Sequence, residues 1–179
     1  MFDQKMEDSY FDSLPSPEEL DAETWAEVTR LIGEYVVTFQ AIEGTLKNAI
    51  VTLLGCDEIS GDIVCAELGF RGVLQVFMSL MLHRLNEERS PEALCLLQKR
   101  IETASKKRNT IVHSVWIKNG LTSNGVLTFK PTSSLRNGYG GGYLEKTLRE
   151  MYSDVEEFKE LDSDLLCRIN AIVTSERSE

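Results

Sequence analysis

The chain has 179 residues, of which 42% are apolar and 27% charged, enough for one folded domain with its own core. No apolar run approaches the roughly 18 residues of a bilayer-spanning helix, so a membrane protein is not expected. The net charge of −10 argues against indiscriminate binding of nucleic acid.

That total hides an asymmetry. Between Lys99 and Arg136 stand eight cations (Lys99, Arg100, Lys106, Lys107, Arg108, Lys118, Lys130 and Arg136) against one acid, Glu102, a local +7 that leaves −17 elsewhere. A polyanion is tolerated there if anywhere. The competing reading is a solvated helix face whose cations pair with acids of neighbouring helices. Cys56, Cys65, Cys95 and Cys167 lack the close pairing of zinc or redox motifs and read as buried thiols. His83 and His113 lie thirty residues apart, so neither a metal nor a cofactor is expected. His83 reads as a histidine at the edge of an apolar face.

Residues 1–17 mix acids with Pro15 and Pro17 and read as a flexible lead-in. Asp3, Glu7, Asp8 and Asp12 replace the basic start and apolar centre of a secretory leader, and the expected compartment is the cytoplasm. Ser16-Pro17-Glu18-Glu19 has the serine, first-turn proline and early carboxylates of a helix start. From about Ala22 to Leu54, residues Val28, Leu31, Ile32, Tyr35, Val36, Phe39, Ile42, Leu46, Ile50 and Leu53 recur by threes and fours, predicting one long amphipathic helix. Glu43 falls on this stripe, where an unpaired charge would cost several kcal/mol, so it requires a partner. Gly55 and Asp57 supply the stop.

Residues from about Ser60 to Leu85 predict helix, in two pieces broken near Gly69 and Gly72. Ser90-Pro91-Glu92 repeats the start pattern, and Leu94, Leu97, Ile101, Ala104, Arg108, Ile111 and Val115 form the next stripe. Arg108 stands at an apolar position of this helix as Glu43 does on the first, and the two are the natural pair if the helices pack together. Beyond Trp116, Asn119-Gly120 and Asn124-Gly125 mark turns around short alternating segments, predicting a small two-stranded excursion. Pro131 to Gly142, rich in glycine but lacking the P-loop lysine, reads as a mobile loop; Tyr139 and Tyr143 beside it could stack on bases. A last helix spans about Leu144 to Val173, and Thr174 to Glu179 should fray. The expected fold is all-α: an antiparallel four-to-five-helix bundle, with a hairpin or loop excursion between the last two long helices. Residues 18–175 form one domain, and the irregular insert covers about 115–142.

The run Arg108-Asn109-Thr110-Ile111-Val112-His113 is an arginine, a polar residue directly after it, three further residues and a histidine. Late in a long helix of a four-helix plan, it resembles the signature of the HEPN superfamily of small all-helical domains. The resemblance implies a homodimer formed through the motif helices and, in active members, a metal-independent endoribonuclease with RNA as substrate. Arg108, Asn109 and His113 take the catalytic places. Toxin–antitoxin and antiphage defence systems are the expected setting, with an antitoxin or a nucleotidyltransferase as candidate partners. No other residue is carried over from the resemblance; the helix stripes themselves give Glu43 as support for Arg108, and the local positive charge gives Lys106 and Lys107 as candidates to bind RNA.

The residue types suit that chemistry. Cutting RNA without a metal requires proton movement at the ribose 2′-hydroxyl and the leaving oxygen, and stabilisation of charge on the phosphorus oxygens. His113 can move protons, Arg108 can fork onto a phosphate, and Asn109 can orient either. Arg108 and His113 differ by five positions, roughly 140° around a helix and about 7.5 Å along it, so two motif helices meeting in a dimer would complete a site. The alternative is a non-catalytic dimerisation or interaction module in which Arg108 pairs structurally with Glu43.

Overall fold

A computed structural model describes residues 22–84, 91–121, 125–134 and 138–176. The expected lead-in, the Ser16-Pro17 helix start, the serine cap at Ser90 and the end of the chain past residue 176 lie outside the described residues. The protein is mostly helical, with five helices and a small antiparallel sheet: α1 (Ala22–Leu54), α2 (Glu58–Ala66), α3 (Phe70–Arg84), α4 (Pro91–Val112), β1 (Val115–Leu121), β2 (Val126–Ser134), β3 (Gly138–Lys146) and α5 (Leu148–Glu176). None of these helices is long and apolar enough to cross a membrane. The described residues divide into two compact units, one within 33–109 and 153–176 and one within 22–32 and 110–152.

In the first unit the α1 stripe is buried as its spacing requires: Tyr35, Phe39, Ile42, Leu46, Ile50 and Leu53 are almost wholly removed from solvent. Burying each such side chain contributes about 1.5–3 kcal/mol. Contact order gives the helix directions. Phe39 meets Phe158 and Thr45 donates to Asp162, so α1 and α5 run parallel. Phe39 also meets Phe70 while Arg84 donates to the Leu53 carbonyl, so α1 and α3 run parallel too. Lys107 pairs with Asp154 and Arg100 with Asp164, so α4 and α5 are antiparallel.

The short α2 provides the return between the parallel α1 and α3. Asp57 caps it, its carboxylate accepting from the Ser60 amide at 3.0 Å. Gly61 lies so close to α1 that a Cβ there would stand 2.2 Å from Val51 Cγ2. The break between α2 and α3 falls at residues 67–69, at the first of the two expected glycines. His83 is exposed in the last turn of α3. The expectation of buried thiols holds for Cys65 but not for Cys95 and Cys167, which are exposed on the outer faces of α4 and α5.

In the second unit Val28, Val126, Trp25, Ile32, Trp116 and Leu148 pack together. The two-stranded excursion is in fact a three-stranded meander in the order β1-β2-β3. Asn119-Gly120 makes no turn: it lies within β1, where the pairing with β2 is irregular between Trp116 and Leu121. The expected glycine-rich loop is also overturned. Gly138 to Gly142 pair with Ser134 to Lys130 in unbroken register. Glycine serves here because Phe129 crosses the strand. A Cβ on Gly141 would stand 2.2 Å from the Phe129 ring, which also rests against Tyr143 at 5.3 Å.

Candidate functional site

The last turns of α4 carry the motif. Leu97, Ile101 and Ala104 are buried, and Arg108 continues their spacing. Its side chain is half-buried, with the guanidinium carbon 5.6 Å from the centroid of the Phe39 ring. Phe39 is itself held by Phe70 and Phe158. Arg108 Nη1 donates to Asn109 Oδ1 at 2.9 Å, and Nε is buried without a hydrogen-bond partner. A buried donor left unmade costs about 1–3 kcal/mol, which a cation–π contact of roughly 0.5–2 kcal/mol offsets only in part.

The expected Arg108–Glu43 pair is not formed. Glu43 pairs with Lys47, one turn further along α1, at 3.1 Å. The ring of Phe39, not a carboxylate, faces Arg108, and Glu43 sits at the half-exposed rim, where a lysine four residues later satisfies it.

Lys107 also departs from its expected role. Its ammonium pairs with Asp154 Oδ1 at 2.8 Å and with Glu157. The other Asp154 oxygen accepts from the hydroxyl of the fully buried Tyr35. Burial works against the Lys107 charge, but the hydrogen bonds and charges of Asp154 and Glu157 outweigh it and hold the ammonium above its ordinary value of 10.5. Lys107 is therefore a structural cation, committed to α5 and not available to RNA. Lys106, next to it, is exposed.

Tyr35, Asp154 and Glu157 were not among the expected site residues, although a signal was present. Asp154 stands three after Met151 and directly before Val155, on the buried seam of α5. The reasoning that singled out Glu43 applies to it with more force.

In the other unit, the end of α4 is tied down on three sides. Ser114 Oγ donates to the Thr110 carbonyl at 2.6 Å, Trp116 Nε1 to the Ile111 carbonyl at 3.0 Å, and Lys130 Nζ to Thr110 Oγ1 at 2.9 Å. Two helix-end carbonyls that would otherwise lack partners are thereby satisfied. His113 comes directly after Val112, in the turn between these anchors, and is exposed. Asn109 is exposed too, and its amide oxygen orients Arg108.

No family model, curated protein or solved structure matches this chain. The functional reading therefore rests on the residues themselves. Among the described residues no three His, Cys, Asp or Glu side chains gather as a metal site. The first unit supplies a guanidinium with unused donor capacity and an amide that orients it, and the second an imidazole open to solvent.

Proposed function

We propose that the chain is a HEPN-like, metal-independent endoribonuclease, or an RNA-binding relative of one, of toxin–antitoxin or antiphage defence type. On this reading the helices form a bundle that dimerises through the α4 motif helices. The observation that carries it is Arg108: half-buried over Phe39, oriented by Asn109, and without a carboxylate partner among the described residues. An arginine kept for stability alone is normally paired once desolvated. One lacking that pair but held in position suits an anion that arrives from outside.

In the reaction the ribose 2′-oxygen attacks phosphorus, forming the new O–P bond as the bond to the 5′-oxygen breaks. His113 accepts the 2′-hydroxyl proton, and solvent water delivers a proton to the leaving oxygen. Arg108 stabilises the charge gathered on the non-bridging oxygens. The alternative reading, an interaction module in which Arg108 neutralises Glu43, has lost that contact to Lys47.

Incubating the chain with RNA in the presence of a chelator tests the proposal. Cleavage should fall by about 10²-fold or more with His113→Ala and with Arg108→Ala. Cleavage that survives both substitutions would overturn it.

A further inference from the structure

A pocket of about 290 Å³ opens where the start of α3 faces the middle of α4, lined by Phe70, Arg71, Leu74, Glu102, Ser105 and Lys106. It lies at the small end of the ligand-pocket range of roughly 300–1,000 Å³ and suits a single nucleotide better than anything larger. Its lining divides by chemistry. Arg71 and Lys106 are exposed cations, and neither forms an ion pair with a described residue. Lys106 stands four residues after Glu102, a spacing that commonly brings Glu and Lys together, yet Glu102 instead accepts from Gln98 Nε2 at 2.8 Å. Phe70 and Leu74 supply an apolar wall, and Ser105 a hydroxyl.

The pocket is also close to the motif by two independent routes. Phe70 packs on Phe39, the ring over which Arg108 lies, at 5.0 Å. Ser105 and Lys106 stand four and three residues before Asn109, on the same face of α4.

We infer that this pocket binds one nucleotide of a single-stranded RNA. Its phosphate meets Arg71 and Lys106, its sugar and base edge lie against Phe70 and Leu74, and Glu102 accepts a hydrogen bond from the ribose. The inference rests on the reading of the chain as acting on RNA, and it assigns the strand a path along α4 towards Asn109. The carboxylate has a use here that a bare phosphate would not give it. It penalises an isolated anion and favours one that carries hydroxyl donors.

The test is an NMR titration of the ¹⁵N-labelled full chain with adenosine 5′-monophosphate, with inorganic phosphate as a second arm. The amides of Phe70, Ser105 and Lys106 should shift with the nucleotide. Binding should weaken tenfold or more with Arg71→Glu, or with Arg71→Gln if the first variant melts early, and less than twofold with Arg149→Glu, a charge reversal on α5. Inorganic phosphate binding as tightly as the nucleotide would overturn the nucleotide assignment, and indifference to both Arg71 variants would overturn the pocket. Cleavage measured alongside separates the two readings. If RNA cleavage depends on His113 but nucleotide binding ignores Arg71, only the pocket falls. If the nucleotide binds through Arg71 and RNA is bound but not cut, the pocket stands and the ribonuclease reading falls.

Discussion

Two partly buried cations, adjacent on α4, separate into different roles. Lys107 faces two carboxylates on α5, one of which also accepts from the Tyr35 hydroxyl, whereas Arg108 faces an aromatic ring and keeps an unpaired Nε. Arg108→Met should therefore change stability by no more than about 1 kcal/mol in either direction, because it removes an unsatisfied donor along with the charge while keeping contact with Phe39. Cleavage should be lost with Arg108→Met and largely lost with Arg108→Lys, since an ammonium cannot fork onto a phosphate. Denaturant melts beside chelator-resistant cleavage read both. A loss of 3 kcal/mol or more in Arg108→Met would make the residue structural. Tyr35→Phe should have the opposite profile. It leaves buried Asp154 with one fewer donor, which should cost about 1–3 kcal/mol in the same melts without altering nucleotide binding at Arg71.

At the scale of elements, periodicity identified what periodicity governs. The stripe from Val28 to Leu53 predicted α1 with the bounds that the helix has, because a face buried along its whole length repeats faithfully by threes and fours. The meander was less legible. A strand of Gly140-Gly141-Gly142 has no side chains to alternate, and the reason for the glycines is Phe129 on the neighbouring strand, far off in sequence until the register is known. The start of α5, expected near Leu144, falls at Leu148 because β3 continues to Lys146, and it carries a signal of its own. Thr147-Leu148-Arg149-Glu150 forms a capping box, with the Glu150 amide donating to Thr147 Oγ1 at 3.1 Å and the Thr147 amide to Glu150 Oε2 at 2.8 Å. Thr147→Ala should cost about 1 kcal/mol by denaturant melt, and Thr147→Ser should recover most of it. Identical melts for Thr147→Ala and the parent would mean that the box contributes nothing.

The α4–α5 pairing also carries a pH signature. Burial alone would raise the Asp164 carboxyl, but the hydrogen bonds and charges of Arg168 and Arg100 hold it below its ordinary value of 3.8. With a depressed folded value, the stabilisation is complete above the unfolded value and disappears as pH falls through the folded one. The stability difference between the parent and Asp164→Asn should therefore be constant above about pH 5 and shrink below 3.8 in urea melts at stepped pH. A difference that grows on acidification would reverse the assigned sign.

For the whole molecule, the candidate site turned out more divided than its six-residue motif suggests. Arg108 is held by the core aromatic Phe39, while His113 follows the helix, in the turn directly before Ser114. Arg108 belongs to one unit and His113 to the other. If catalysis uses the arginine of one copy and the histidine of another, mixing two inactive proteins should restore activity. Arg108→Ala and His113→Ala chains, unfolded together and refolded at equal concentration, would form mixed dimers for about half the population, each with one intact site, giving about a quarter of parental cleavage. Sites contained within single copies would give none, because every chain in the mixture lacks one of the two groups. Silence in the mixture while the parent cleaves would reject the shared site, and activity near a quarter would locate catalysis at the junction of two α4 helices.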